Sequence, residues 1–284
     1  MPKTSLSHLA LGASWKSRLE LNFVEKNHKT IIHHRKHFGP LQIQKPFYPE
    51  TGGRCHVYIL YPPGGLVGGD QLEVQIHIAS RARALITTPA AGKFYRSSGP
   101  LAIQRQEIKI APQGCLEWFP AENIFFSGAK AKLKTKIDLT EESYFLGWDI
   151  CCLGRPTSDE QFKKGILDQR LEVYLKNQPI RLERLLINGN DQMLKAKWGL
   201  NNRPVLGNFI CFTYKKDLID LVRQATKLSN SDNVFSTTFV DGIILCRYLG
   251  NSVEQAKRLF VKTWQILRFE LLGQDTVIPR IWNT

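Results

Sequence analysis

Four carboxylates that stand beside apolar or aromatic residues are the side chains of this sequence best suited to do chemistry. They are Asp70 after paired glycines, Glu117 in CLEWFP, Asp149 in FLGWDICCLG and Glu183 in IRLERLL. Burying an unpaired charge is costly, so each is either a structural group held by hydrogen bonds or a working group. A working carboxylate could serve general acid–base catalysis, as in glycosidases, or transient ligation of a metal ion.

The histidines offer a second candidate, because all seven lie between His8 and His77. Neither G-x-S-x-G nor H-E-x-x-H occurs in the sequence, and no Cys/His zinc spacing is present. The densest cluster is HHRKH, in which His33 and His37 could contact a transition metal. A solvated basic patch explains the same residues equally well.

The segment YPPGGLVGGDQ, residues 61–71, has the glycine spacing of a phosphate-binding loop but not its chemistry. A P-loop needs a lysine where Asp70 stands, and a carboxylate there would repel a triphosphate. The residues that follow, LEVQIHI, alternate as a strand does, whereas phosphate loops lead into a helix. We therefore predict a tight loop in which glycines supply positive φ and no phosphate is bound.

Bulk properties predict a cytoplasmic protein with no membrane span. The N-terminal residues are too polar for a signal peptide, and no run of roughly 18 apolar residues occurs. The six cysteines include no C-x-x-C, and several lie in apolar strand-like runs, so we interpret them as reduced thiols.

A net charge of +14 calls for an acidic partner, either a protein surface or nucleic acid. The densest basic run, KAKLKTK at Lys130–Lys136, alternates lysines with apolar residues. This pattern predicts a strand with one wet face, and lysines also protect the edges of sheets. Because no recognised nucleic-acid motif accompanies the run, a nucleic-acid-binding module remains only an alternative.

Segments of period two dominate the first three quarters of the chain and are separated by turn residues, which predicts a mainly β, coiled or layered sheet architecture. They are HVYILY, LEVQIHI, RARALITT, AIQRQEIKI, KAKLKTK, RLEVYL and IRLERLLI. Two helices are expected late in the chain. The first carries an apolar stripe from Leu218 to Leu228 with Asp217 as N-cap, and the second runs from a Ser252/Gln255 capping box to Gly273.

We expect a single domain over residues 1–284, with residues 1–45 as its less ordered portion. The apolar chain end PRIWNT should be docked.

The blocks HVYILYPPGGLVGGD, LITTPAAGKFYRSSG, LEWFPAENIFFSGA, FLGWDICCLGRP and PRIWNT together resemble the urease accessory protein UreD (UreH) family. The resemblance implies a β-rich fold of helical-turn, β-helix-like topology with two C-terminal helices. It also implies a role in urease maturation rather than catalysis, in which the chain binds apo-urease and UreF, and through UreF the GTPase UreG. A dimeric assembly through UreF is compatible with it.

In that family, nickel is thought to pass through a water-filled tunnel toward the urease active site, so Ni²⁺ is expected in transit and no cofactor permanently. By motif, the acidic positions of the passage fall on Asp70, Asp149 and Glu183, and we add Glu117 from its own block. One departure is that Ser127 stands where the family block has an aspartate; Ala121 replaces a glutamine while Glu122 is kept. The alternatives are a carbohydrate-active enzyme using two carboxylates and the nucleic-acid-binding module.

Overall fold

The computed structural model describes residues 14–228 and 233–283. Within these residues the strands are, in chain order, β1 (Lys16–Lys26), β2 (Lys29–Phe38), β3 (Gln42–Ile43), β4 (Cys55–Leu60), β5 (Gln71–Ile78), β6 (Arg83–Thr87), β7 (Gly92–Phe94), β8 (Ala102–Ile110), β9 (Cys115–Phe119), β10 (Asn123–Phe125), β11 (Lys130–Leu139), β12 (Tyr144–Leu153), β13 (Ile166–Leu175), β14 (Gln178–Asn188), β15 (Val205–Phe212), β16 (Val234–Val240) and β17 (Ile243–Gly250). The helices are α1 (Leu218–Ala225) and α2 (Val253–Leu272), and short 3₁₀ turns occupy Pro156–Ser158, Gln192–Leu194 and Arg280–Asn283.

The strands form two facing sheets. The seven-stranded sheet has the order β14-β13-β11-β8-β5-β1-β2. The ten-stranded sheet has the order β16-β17-β15-β12-β9-β6-β4-β3; in addition, β10 pairs with β12, and β7 pairs with β10. From β4 to β13 the chain alternates between the sheets, and neighbouring strands of this region pair in parallel. The chain therefore winds as stacked coils, which confirms the predicted β-helix-like topology.

Two hydrophobic cores flank the ten-stranded sheet. One lies between the sheets, and the other lies between the ten-stranded sheet and α2. Alternation along β12 divides its residues between them: Phe145, Cys151 and Leu153 belong to the first core, whereas Trp148 and Ile150 belong to the second. The face of β12 on which a residue lies thus decides which of the two cores it enters.

The helix predictions are confirmed, with one difference in capping. Ser252 caps α2 by accepting a hydrogen bond from the Gln255 N–H (3.1 Å), and Gly273 ends the helix in a left-handed conformation (φ 62°). At α1, the side chain of Asp217 makes no capping hydrogen bond, because the residue itself has helical backbone angles. Neither of the described helices is long and apolar enough to cross a membrane.

The lysine-rich strand is confirmed, but its suggested role in protecting an edge is wrong. Ala131, Leu133 and Ile137 of β11 are buried between the sheets while the lysines face outward. However, β11 pairs with β8 on one side and β13 on the other, so it is an internal strand.

The chain end is docked as predicted. Trp282 packs into the core beneath α2, and its indole N–H donates to Thr87 Oγ1 (2.9 Å). Residues 1–13, which include His8, lie outside the described residues, and so does Thr284. The N-terminal portion from 14 to 45 contributes β1, β2 and β3.

Candidate functional site

Two cavities lie between the sheets, embedded in the first core. The loop-side cavity has a volume of about 460 Å³ and is lined at one end by the loops Tyr61–Leu66 and Thr88–Lys93. The edge-side cavity has a volume of about 540 Å³ and lies between β14 on one sheet and β15 and β17 on the other. Asp149, Gln169 and Leu171 line both cavities. These three residues therefore form a partition between two internal spaces.

Asp149 reaches this partition because of its position on β12. It occupies an inward position between Gly147 and Cys151, so its carboxylate faces the seven-stranded sheet. Oδ2 accepts a hydrogen bond from Gln169 Nε2 (2.6 Å), and Oδ1 accepts one from the Asn208 N–H (3.2 Å). Both donors are neutral amides, so the carboxylate charge is not cancelled by a cation.

Burial raises the pKa of Asp149 to about 6, because removal from bulk water disfavours the charged form. Hydrogen bonds from Asn208 and Gln169 oppose this shift, whereas the nearby Glu183 carboxylate adds to it. Asp149 is half-buried, and its side chain lines both cavities. Near neutral pH, Asp149 can therefore gain or lose a proton.

Glu183 lies on β14 and also lines the edge-side cavity, so the structure brings two of the four predicted carboxylates to one space. Unlike Asp149, Glu183 is paired with cations. Its Oε1 accepts hydrogen bonds from Arg181 Nε (2.6 Å) and from Arg247 Nη2 (2.6 Å). Arg247 belongs to β17, so this ion pair joins the two sheets at the edge.

Asp70 is placed elsewhere and organises the glycine loop. Its Oδ1 accepts a hydrogen bond from the Trp15 N–H (2.7 Å), and its Oδ2 accepts one from the Val67 N–H (2.9 Å). The loop itself carries positive φ at Gly64 (77°) and Gly69 (97°) and leads into a strand, as predicted. The buried Asp70 thus fixes the loop that borders the loop-side cavity.

Glu117 faces the opposite side of the ten-stranded sheet from Asp149. Trp264 Nε1 donates to its Oε1 (2.6 Å), and Oε2 pairs with Arg54 Nη1 (3.0 Å) and Arg268 Nη1 (3.3 Å). Glu50 completes this buried network through contacts with Arg54, Arg268 and His56 Nε2, the last at 2.6 Å. Glu117 therefore lies beneath α2, separated from both cavities by a sheet.

Polar residues at inward positions of the seven-stranded sheet were missed by the sequence reasoning. Gln104, Gln106, Thr135 and Gln169 all line the loop-side cavity, and Thr135 Oγ1 donates to Gln106 Oε1 (3.0 Å). A signal was present, because in AIQRQEIKI the residues that alternate with the glutamines are Arg, Glu and Lys, which must face water. The amide side chains must then point inward.

The HHRKH cluster lies on β2, an edge strand of the seven-stranded sheet, with His33 and His37 exposed. Within the described part of the chain, no three His, Cys, Asp or Glu side chains are grouped closely enough to hold a metal ion. All six cysteines are buried free thiols. Burial raises the pKa of the Cys151 thiol well above its ordinary value, and Asp149 adds to this effect, so the cavity wall presents a protonated thiol.

Comparison with known proteins identifies the family. Residues 16–283 match the family described as UreD urease accessory protein. The chain belongs to the UreD family. It is 39% identical over 282 residues to the urease accessory protein UreD of Alcanivorax borkumensis, an alignment that covers 99% of this chain and 95% of that protein. It is 41% identical over 274 residues to the urease accessory protein UreD of Klebsiella aerogenes, which covers 96% of this chain and 98% of that protein.

The segments that carry the UreD resemblance surround the loop-side cavity. Residues 59–66, 88–93 and 118–123 supply much of its lining, and the block FLGWDICCLGRP supplies Asp149, one of the three partition residues. Ser127, where the resemblance led us to expect an aspartate, lies between β10 and β11, and its N–H donates to Glu160 Oε1 (2.7 Å). In this UreD-family chain, Ser127 thus takes part in a contact between two loops.

Proposed function

We propose that this chain is a non-enzymatic urease maturation protein that conducts nickel to apo-urease through the space between its two sheets. In this proposal it binds apo-urease and UreF, reaches the GTPase UreG through UreF, and acts inside the cell. Ni²⁺ is cargo in transit and does not remain bound. Membership of a family of urease accessory proteins supports the general role.

The single observation that carries the conduction proposal is the shared wall of the two cavities. Their combined volume is about 1000 Å³ (460 and 540 Å³), and the side chains of Asp149, Gln169 and Leu171 separate them. Movement of side chains could join the spaces, because the contacts that bridge the sheets here are side-chain hydrogen bonds of Gln169 with Asp149 and Cys151. An internal route from the glycine loop to the edge of β14 then needs no unfolding.

The chemistry of the lining favours passage over storage. Carboxylate, amide and hydroxyl oxygens suit a divalent cation that must be released again, whereas thiolate and imidazole ligands hold nickel more tightly. Asp149 provides a carboxylate without a cation partner, and the inward Gln and Thr side chains provide neutral oxygens. Cys151 stays protonated and is a poor ligand in that form.

Glu183 takes a different role in this proposal from that of Asp149. Its contacts with Arg181 and Arg247 mean that a cation must first displace a guanidinium to reach the carboxylate. Arg247 spans from one sheet to the other, so its displacement also opens the edge-side cavity. Asp70 and Glu117 contribute by fixing the loop and the α2 interface, and neither is assigned as a ligand.

The positive charge of the chain supports recognition of acidic partner surfaces. A net charge of +14 raises the rate of encounter with a negatively charged protein more than the final affinity. Nucleic acid is the weaker alternative, because two of the outward lysines of β11 are paired with acids. Lys134 contacts Glu172 (2.8 Å), and Lys136 contacts Asp138 (3.1 Å). The carbohydrate-active alternative needs two available carboxylates, and Glu183 is already bound by two arginines.

The test is to fill the route without changing the surface. Thr135→Phe places a ring in the loop-side cavity, whereas Thr135→Val keeps the size of the residue. In a urease activation reaction with all accessory proteins present, we expect Thr135→Phe to lower the nickel content of urease severely and Thr135→Val to leave it near normal. Co-purification with urease should be equal for both variants. Normal nickel loading by Thr135→Phe would exclude the internal route.

A further inference from the structure

Gln169 is the residue through which the two sheets touch at the partition. It lies on β13, and its side chain crosses to two inward residues of β12 in the facing sheet. Its Nε2 donates to Asp149 Oδ2 (2.6 Å), and its Oε1 accepts a hydrogen bond from the Cys151 thiol (3.2 Å). One amide group thus closes the gap between the cavities.

The chemistry of its partners fixes the orientation of this amide. An ionised carboxylate can only accept, so it requires the NH₂ group of Gln169, and the thiol can donate to the carbonyl oxygen. In this orientation, the end of Gln169 that faces Asp149 cannot bind a cation. A half-turn of the amide exchanges its two ends and places Oε1 beside Asp149.

We propose that Gln169 is a latch that is displaced by the cation it lets through. In the metal-free protein, its NH₂ group bridges to Asp149 and closes the partition. A divalent cation that reaches Asp149 takes the carboxylate from this donor, and the turned amide then offers Oε1 as a second, neutral oxygen ligand. This inference rests on the proposed function.

The arrangement also accounts for release. One carboxylate and one amide oxygen leave most positions around a six-coordinate cation to water, so the cation is held weakly. When the cation leaves, the amide turns back, since its NH₂ group regains the buried carboxylate.

The experiment compares two variants that add the same charge at different places. Gln169→Glu replaces the latch by a second carboxylate beside Asp149, whereas Gln178→Glu adds the same charge at the exposed start of β14, outside both cavities. With Ni²⁺ alone in equilibrium dialysis, we expect Gln169→Glu to bind nickel on the order of tenfold more tightly, because affinity rises with the charge of the ligand set. In the complete activation reaction, this variant should retain nickel and deliver it slowly, and Gln178→Glu should deliver it at a rate near that of the unmodified protein.

A third variant keeps the test valid if Gln169→Glu fails to fold. Gln169→Met has a similar shape but no donor and no oxygen ligand, and we expect slower delivery without retention. Equal behaviour of Gln169→Glu and Gln178→Glu, or normal delivery by Gln169→Met, would overturn the latch. If Thr135→Phe still blocks delivery in that case, the route stands and only the latch fails. If Thr135→Phe also delivers normally, the proposed function itself fails.

Discussion

Arg268 on α2 and Glu117 on β9 form an ion pair at 3.3 Å although neither side chain has exposed surface. Glu50 and Arg54 join them, so the buried network contains two carboxylates and two guanidinium groups with compensating charges. This network fastens the long helix to the ten-stranded sheet. It gives Glu117 of the apolar block CLEWFP a structural role.

Removing one member of this network should destabilise the protein strongly. Arg268→Met leaves Glu117 and Glu50 short of a partner, and breaking a buried pair in this way costs about 3–5 kcal/mol. The control on the same helix is Lys257→Met, which breaks a half-exposed pair with Glu122 (2.6 Å) and should cost about 1 kcal/mol or less. Urea unfolding measures both. Similar losses in the two variants would contradict the structural role assigned to the network.

Acid should weaken the same network. Burial alone would raise the pKa of Glu50, but hydrogen bonds from His56 and Arg268 and the charges of Arg268 and Arg54 outweigh it and lower the pKa to about 2. Because this pKa is below the ordinary value of 4.5, the contribution of Glu50 to stability is present above pH 4.5 and is lost as the pH falls toward 2. Thermal unfolding measured from about pH 5 to about pH 2 should therefore show a steep loss of stability, because this range includes both pKa values. Glu50→Gln should show a lower stability at pH 5 and a shallower slope.

Asp149 should have the opposite dependence on pH. Its pKa is raised from 3.8 to about 6, so its contribution is favourable below pH 3.8 and is lost as the pH rises through 6. At pH 8 the buried charge costs roughly 3 kcal/mol. We therefore expect Asp149→Asn to be more stable than the unmodified protein at pH 8 and no more stable at pH 4. The same variant should deliver less nickel, and a variant that is less stable at pH 8 would disprove the assigned pKa.

Alanine substitutions at three glycines in and near the glycine loop should differ in their effect on stability, because the three positions differ in geometry. A Cβ on Gly68 would lie 2.8 Å from the backbone oxygen of Pro100, so Gly68→Ala requires the loop to move. Gly64 has open space but a φ of 77°, and alanine there should cost about 1 kcal/mol. Gly99 has open space and no positive φ, so Gly99→Ala is the control that should change little. Thermal unfolding should rank Gly68→Ala as the most damaging of the three, and any other order would contradict the loop geometry.

The elements of the fold were predictable because their signals are local. Period-two segments predicted strands such as β5 and β11, and the Ser252 cap with Gly273 predicted the bounds of α2. The lateral order of the strands was not predictable, since alternation gives no information about which strand is the neighbour. This explains why the internal position of β11 was missed.

The candidate site was predictable only in part for a related reason. The composition around Asp149 and Glu117 is similar, yet the two side chains leave the same sheet on opposite faces. Which core a side chain enters depends on which face of its strand points to that core. The sequence of a strand that has apolar residues on both faces does not reveal which face that is. The glutamines of β8 could have been assigned to the interior, whereas the contact of Gln169 with Asp149 depends on how the two sheets face each other.

The order in which the chain supplies the walls of the two cavities has a consequence for synthesis on the ribosome. The loop-side cavity is built mainly from residues 41–149, whereas the edge-side cavity needs residues 206–208, 234–236 and 247–249 for its far wall. A nascent chain therefore completes the glycine-loop end long before β17 emerges and Arg247 can reach Glu183. The edge-side cavity is the last part to be assembled, so an unfinished molecule holds only the glycine-loop end of the space between the two sheets.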